Sequence, residues 1–192
     1  MANCDLTLGR QEVCKESIGG LQGVYFFNYP STGTGSYTPN FTLNTDTNQV
    51  TAFPSGSTVY YYSLKGTSAY TETVNSSREN GTTFFTQELT LNLKKLTPEM
   101  TVQLKTLAYG RPVAVVWTNN GDALVAGITM GCDLTAGSIQ TGAGMGDLYG
   151  YSITLQGMEK LPAAFITGST QFNPFGAAAL TIKPTVVSGS AN

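Results

Sequence analysis

The sequence predicts a mainly β protein with one flanking α-helix, arranged as a β-sandwich or a barrel-like domain. The 192 residues include 28 Thr, 10 Tyr and 9 Phe, and β-branched and aromatic side chains favour strands. One segment, Thr82–Lys94, alternates apolar and polar residues, and one other segment carries a helical pattern. The length suits a single domain with a substantial core.

The alternating segment Thr82–Lys94 is the clearest strand in the sequence. A tight-turn dipeptide, Asn80-Gly81, comes just before it. One face should lie on the core, and the other should face water or a polar channel. The core face contains Phe85, Gln87, Leu89, Leu91 and Leu93, and the opposite face contains Phe84, Thr86, Glu88, Thr90 and Asn92.

A single helix is predicted to begin near Thr97. The Thr97 hydroxyl can cap the helix, Pro98 suits its first turn, and the charge of Glu99 complements the helix dipole. Gly110 and Pro112 then end the element. The apolar stripe that should lie on a sheet consists of Met100, Leu104, Leu107 and Ala108.

The other elements are predicted from apolar runs separated by Gly, Pro, Asn and Ser. Residues 30–40 and the glycine-rich residues 135–150 are predicted loops, and residues 119–122 are a predicted hairpin turn. Residues 161–166 are predicted to be an extended apolar segment. Strands are expected at residues 21–29, 41–53 (one or two short strands), 57–64, 70–78, 113–118, 123–133 and 149–158.

We divide the chain into an N-terminal arm (residues 1–20), a β domain (residues 21–167) and a C-terminal extension (residues 168–192). The extension is rich in Ser, Thr, Pro and Gly. It is expected either to lie as an arm on another surface or to be weakly ordered.

The residue content excludes several kinds of chemistry. The chain contains no His, which removes Ser-His-Asp and Cys-His catalysis, His-ligated zinc and histidine pH switching. A net charge of −2 and a pI near 5.0 argue against a basic nucleic-acid-binding surface. We see no secretory signal and no apolar run near the ~20 residues of a membrane span. These features favour a soluble, non-enzymatic scaffold or binding module without a cofactor.

Two residue patterns have competing interpretations. Cys4, Cys14 and Cys132 are an odd number of cysteines, which favours reduced structural thiols over a Cys4–Cys14 disulfide or a metal site. The glycine-rich residues 142–146 superficially resemble a phosphate-binding loop, but no βαβ frame surrounds them, so a flexible loop is favoured. Trp117 lies in an apolar strand and is expected in the core.

Two segments carry a resemblance to a known family. In the closing segment, residues 151–163, a strand is followed by Glu159-Lys160 and by Pro162-Ala163. With the succession of strands and one capped helix, this segment resembles tail-tube and ring-forming tail proteins of tailed bacteriophages. The start, residues 18–29, is similar to structural proteins of crAss-like phages infecting Bacteroidota, and the resemblance spans residues 18–166.

The resemblance implies a virion structural protein of the phage tail or head–tail connector, assembled in the host cytoplasm. Its copies, roughly six or twelve, would join their sheets edge to edge into rings around a DNA passage. Partners would be further copies, other tail or connector proteins and, transiently and without sequence preference, passing DNA. The extension after residue 166 is longer than a minimal tube domain needs, which leaves open a connector ring as against a repeating tube.

The residues themselves fit such an assembly. The strands carry little charge, although a monomer normally protects its sheet edges with charge or proline. The polar side chains Thr86, Glu88, Thr90 and Asn92 are the predicted lumen-facing residues, because a lining with few cations would let DNA slide. The predicted subunit-interface residues are aromatic: Tyr60, Tyr61, Tyr62, Phe172 and Phe175.

Two other functions are weighed against the structural role. Tyr60, Tyr61 and Tyr62 beside Thr- and Ser-rich loops would also suit a carbohydrate- or receptor-binding β-sandwich, since sugars stack on exposed aromatic rings. An enzyme with two carboxylates remote in sequence is the third possibility, although no acidic pair stands out.

Overall fold

In the computed structural model, residues 8–12, 14–29, 41–44, 46–176 and 180–189 are described. The protein is mainly β, with two curled sheets and, within these residues, a single helix. The predicted loop 30–40 and Cys4 lie outside the described residues. The strands are β1 (Leu21–Phe27), β2 (Thr42–Asn44), β3 (Gln49–Ala52), β4 (Thr58–Ser63), β5 (Ala69–Ser77), β6 (Thr82–Lys94), β7 (Val113–Thr118), β8 (Ala123–Ala126), β9 (Asp133–Gln140), β10 (Gly150–Glu159), β11 (Ala164–Ile166) and β12 (Thr185–Ser188), and the helix is α1 (Pro98–Tyr109).

The larger sheet has eight strands in the order β12-β4-β1-β7-β8-β11-β3-β2. At its centre β1 pairs antiparallel with β4 and with β7, so that Tyr25 lies between Tyr61 and Val115. The smaller sheet has four antiparallel strands in the order β5-β6-β10-β9. The two sheets pack face to face, which confirms the expectation of a mainly β sandwich or barrel-like fold with one helix.

The core between the sheets is built by the inward face of β6 and β10 against the larger sheet. This face follows the period of two that the sequence shows, because successive strand residues point to opposite sides. The main residues of this layer are Leu89, Leu91, Leu93, Tyr151, Ile153 and Leu155 from the smaller sheet, and Leu21, Val24, Phe26, Ala114 and Val116 from the larger one.

A second core lies on the opposite face of the larger sheet. It contains Tyr25, Val115 and Trp117 from the central strands, which confirms that Trp117 is a core residue. The sheet curls around this core, and the chain after β11 covers it with Phe175 and Leu180. Residues 24–27 of β1 and 113–117 of β7 are therefore buried on both faces, and these runs are apolar without alternation.

The expected C-terminal extension is part of the domain. Phe175 is 5% exposed and belongs to the second core, so the prediction that it forms a subunit interface is wrong. Local residue content had suggested an arm or weak order, but Phe175 and Leu180 are fixed by packing against strands far away in the sequence.

Residues 180–188, which we name the C-terminal strap, form hydrogen bonds with β3 and its following residues at one end and with β4 at the other. The N–H of Thr181 donates to Thr51 O at 2.9 Å, and the N–H of Phe53 donates to Ile182 O at 3.1 Å. Farther along, β12 pairs parallel with β4. Because β4 and β3 each lie second from an end of the eight-stranded sheet, the strap ties its two halves together.

Helix α1 begins as the sequence predicts. The Thr97 side chain accepts the N–H of Met100 at 3.2 Å, Pro98 occupies the first turn, and the chain leaves the helix at Gly110. The Tyr151 hydroxyl donates to Thr97 O at 3.0 Å, which attaches the start of the helix to β10. No residue of α1 is fully buried, so the helix flanks the sandwich rather than filling it.

The structure corrects the prediction for residues 123–150. The predicted strand 123–133 ends at Ala126, and the predicted loop 135–150 begins instead with β9, which pairs with β10. Ala136, Gly137 and Ser138 have weak intrinsic strand preference. They are extended here because the edge of β10 supplies backbone hydrogen-bond partners.

The burial of Phe175 predicts a large contrast with Phe172, which is 92% exposed. Phe175→Ala should lower the free energy of unfolding by about 3–5 kcal/mol, since it opens a cavity in a packed core. Phe172→Ala serves as the matched control and should change it by less than about 0.5 kcal/mol. Urea unfolding followed by tryptophan fluorescence measures both, and equal effects would contradict the assigned packing.

Candidate functional site: the outer face and open edges of the four-stranded sheet

The outer face of the four-stranded sheet is the most distinctive surface of the molecule. At its centre the side chains are hydroxyls, amides, a methyl group and the carboxylate of Glu88. Charged residues lie at its margins, namely Lys94 at the end of β6 and Asp133 opposite Gln156. We name this surface the polar face. It consists of Thr71 and Thr73 (β5), Thr86, Glu88, Thr90 and Asn92 (β6), Ser152, Thr154 and Gln156 (β10), and Ala136 and Ser138 (β9).

The four predicted lumen residues lie together at the centre of this face. Glu88 is exposed, with Thr71 opposite it on β5 and Gln156 opposite it on β10. Thr86 accepts a hydrogen bond from Asn75 Nδ2 at 2.8 Å. The strand alternation was thus sufficient to group these residues, and none of them is buried against the core. Whether they line a passage stays a prediction.

One end of the same face is apolar. Phe84 on β6 is exposed, as is Met158, which lies opposite Thr86 on β10. Val74 on β5 is also exposed, but it lies opposite Phe85 and so belongs to the other side of the sheet, where the β5–β6 hairpin extends beyond the body of the sandwich. The sequence had marked Phe84 only as an exception to the alternation, so this exposed end was not predicted.

The edge strand β5 is open. Within the described residues it pairs with β6 and with no other strand. It is nine residues long and contains neither proline nor lysine, the residues that usually protect an edge. Its one charged residue, Glu72, is half-buried and bonded within the chain.

The opposite edge strand, β9, is open as well. It pairs with β10, and across the described part of the chain no strand lies on its other side. All of its residues except Leu134 are exposed, although α1 lies near it. Its one charged residue, Asp133, forms an ion pair with Arg111 at 3.3 Å. Both edges of one sheet are therefore long and poor in charge.

A buried polar network fixes β5 and β6 to the loops behind them. The Gln87 Oε1 accepts the N–H of Gly127 at 2.8 Å, and its Nε2 donates to Glu72 Oε1 at 3.3 Å. Glu72 Oε1 also accepts the N–H of Ala163 at 3.0 Å. Gln87, which interrupts the apolar face of β6 in the sequence, was the one signal of this network, and its role was not predicted.

Glu159 performs a similar task at the end of β10. It is buried, and its Oε1 accepts the N–H groups of Thr129 and Met130, both at 2.8 Å. A cavity of about 30 Å³ is lined in part by Gln87 and Glu159. It has room for about one water molecule and is far below the size of a substrate pocket. We therefore assign the carboxylates of Glu72 and Glu159 a structural role.

The predicted interface tyrosines are mostly engaged within the chain. Tyr61 packs on Tyr25 with ring centroids 4.7 Å apart, and Tyr62 packs edge-on against Phe26 at 5.1 Å. Tyr60 is 40% exposed and remains accessible. The alternation through β4 sends these rings to different sides, so the three do not form one stacking platform of the kind that the carbohydrate-binding alternative needs.

The glycine-rich loop binds its own carboxylate. Asp147 Oδ2 accepts the N–H of Ala143 at 2.9 Å and that of Gly144 at 2.7 Å. These two backbone hydrogen bonds lower the pKa of Asp147, and the bond from Gly144 has the larger effect. Two of the backbone donors that could hold a phosphate are thus already occupied, which supports the interpretation of this segment as a connecting loop.

Neither of the described cysteines forms a disulfide. Cys132 is buried and Cys14 is exposed. Burial, and then the negative charge of Glu159, raises the pKa of the Cys132 thiol to about 12, so it is a packing residue rather than a nucleophile. Over the described ranges, no three His, Cys, Asp or Glu side chains are grouped to hold a metal ion. Nor does that part of the chain contain a helix long and apolar enough to cross a membrane.

Comparisons with protein-family models, with curated proteins and with solved structures find no match to this chain.

Several tyrosines are protected from ionisation by the layers around them. Burial, and then the neighbouring Tyr61 phenol, raises the pKa of Tyr25 to about 12. Burial also raises the pKa of Tyr62. The pKa of Tyr70 is also raised, first by burial and then by the charge of Glu72. Because each shift favours the neutral form in the folded state, the fold should be sensitive to alkali.

We predict that the free energy of unfolding falls as pH rises from about 10 to about 12. An unfolded tyrosine loses its proton near pH 10, whereas folded Tyr25 keeps it to about pH 12, so the folded state binds more protons in this window. Below about pH 10 this contribution is fully present. Tyr25→Phe should reduce the loss by on the order of 2 kcal/mol.

Urea unfolding at about pH 8 and about pH 11.5 tests this for the natural chain and the variant. The control is Tyr149→Phe, which removes the hydroxyl of a tyrosine that is half exposed. It should leave the alkaline loss unchanged, and an equal response in the two variants would contradict the role of Tyr25.

Proposed function

We propose that this protein is a non-enzymatic structural subunit that assembles into a ring or tube of the phage tail or head–tail connector and encloses a DNA passage. The observation that supports this most is the four-stranded sheet, whose two edges are open while its outer face is polar. The resemblance of residues 18–166 to ring-forming tail proteins points to the same role.

The strand directions favour closure into a ring. β5 and β10 run one way, and β6 and β9 run the opposite way. If a second copy is rotated about an axis along the strands, its β5 meets β9 of the first copy antiparallel. The alternation then continues across the junction. Repeating one such heterologous contact around an axis gives a closed barrel with no remaining edge.

The charge of the polar face suits the inside of that barrel. Thr, Ser, Asn and Gln side chains would border the passage, with the Glu88 carboxylate of each copy at the centre and Asp133, paired with Arg111, at the margin. DNA is retained by cations that neutralise its phosphates. A wall made mainly of hydroxyls and amides, with Lys94 only at its margin, would hold DNA weakly and let it pass.

The proposal predicts a discrete oligomer or a polymer of the purified chain. Light scattering should give a mass that is a whole multiple of 20.3 kDa, and negative-stain images should show rings with a central opening. A chain that stays monomeric at high concentration would contradict the proposal. A monomer that binds glycans would instead support the carbohydrate-binding alternative.

A charge placed on an open edge should weaken assembly. Val74 on β5 is 60% exposed, and Val102 on α1 is 61% exposed, so they form a matched pair. Val74→Lys should raise the concentration needed for assembly about tenfold or more, because a lysine on an edge opposes strand addition. Val102→Lys, the control, should assemble normally. Sedimentation measures both, and an unaffected Val74→Lys variant would remove β5 from the interface.

A further inference from the structure

The last strand, β12, is attached to the sheet almost entirely through its backbone. All four of its residues, Thr185–Ser188, are exposed. It is the outermost strand of the eight-stranded sheet and pairs parallel with β4. The other strands of this sheet each contain side chains that are at least partly buried. In the central strands, for example, Val115 is fully buried and Phe26 nearly so. β12 is therefore held by few contacts other than the β4 ladder.

The surface around β12 is more apolar than a free edge should be. Val186 and Val187 are each 43% exposed and point to opposite faces, and Tyr60, the register partner of Val187, is exposed beside them. Ile182 adds a further exposed apolar side chain just before β12. An uncharged edge strand with apolar groups on both faces favours pairing with another chain.

The connection into β12 divides the strap into a fixed part and a releasable part. Leu180 is buried in the second core, and Thr181 is bonded to Thr51 through both its N–H and its hydroxyl. The fixed part continues to Pro184, since Ile182 O accepts the N–H of Phe53, the Lys183 ammonium donates to Gly176 O at 3.2 Å, and Pro184 is buried. The releasable part is therefore β12 itself. Proline restricts the preceding residue to extended conformations, so the chain leaves its anchor as an extended segment with β12 at its end.

We infer that β12 is an exchangeable strand, which in an assembly pairs with β4 of a second copy in the register that it shows here on its own chain. The occupant is specified by the structure, since the edge of β4 already accepts Thr185–Ser188 from residue Thr58 to Tyr61. Exchange keeps every backbone hydrogen bond between β12 and β4. Its free-energy cost is therefore limited to the contacts that the residues just before β12 must give up.

This inference rests on the proposed self-assembly, because a ring supplies the second copy at high local concentration. It adds a contact distinct from the β5–β9 junction, on the other sheet. Each copy would hold the next by a strand as well as by an edge.

A disulfide between register partners distinguishes the two arrangements. We would introduce Tyr60→Cys and Val187→Cys, which lie directly opposite each other on β4 and β12. Cys4 and Cys14 would be replaced by Ser, and Cys132 would stay because it is buried and its pKa is raised. After mild oxidation of the assembled protein, a gel without reductant should show most of the cross-linked chains as multiples of the single chain.

The control pair is Ser138→Cys with Ser152→Cys, which lie opposite each other on β9 and β10 within one sheet. It should link each chain only to itself in any assembly. If the Tyr60/Val187 pair also links only within chains, or leaves its thiols free, the exchange is overturned.

Light scattering of the same samples separates this outcome from the fate of the proposed function. Rings with links between chains support both ideas, and rings with links only within chains remove the exchange alone. A dimer with links between chains supports the exchange and removes the ring. A monomer with links within chains removes both.

Discussion

The fold depends on the burial of β1 and β7 on both faces. A strand such as Val113–Thr118, with five buried residues in succession, is stable only between two apolar layers, since burial of apolar area supplies most of the folding free energy. The four-stranded sheet provides one layer. The other comes from the curl of the large sheet and from Phe175 and Leu180.

In this arrangement the inner face of the four-stranded sheet packs on the core, and its outer face and edges are available for contacts with other molecules. Its inner face is occupied by leucines and by Tyr151. Within the described chain no strand pairs with either of its edges or covers its outer face, although α1 lies near β9. The buried bonds of Gln87, Glu72 and Glu159 hold this sheet rigidly on the loops behind it. A rigid sheet with open edges is suited to extension by copies of itself, whereas no cavity of substrate size is associated with its polar groups.

Local patterns predicted most of the elements, and long-range packing explains the failures. The alternation of Thr82–Lys94 gave both its bounds and its polar face, and Thr97-Pro98 gave the start of the helix. β9 was missed because its small residues become a strand only beside β10. Phe175 was misassigned because its partners, among them Tyr25 and Phe53, are more than a hundred residues away.

The C-terminal strap also has a consequence for the order of folding. Its hydrogen bond from Thr181 to Thr51 spans 130 residues, and contacts of such separation form late because the loop entropy must first be offset. Until then, the chain contains a partly curled sheet whose second core is open to water. Refolding should therefore be slow, and its yield should decrease as the protein concentration rises, since intermediates with open apolar surface associate.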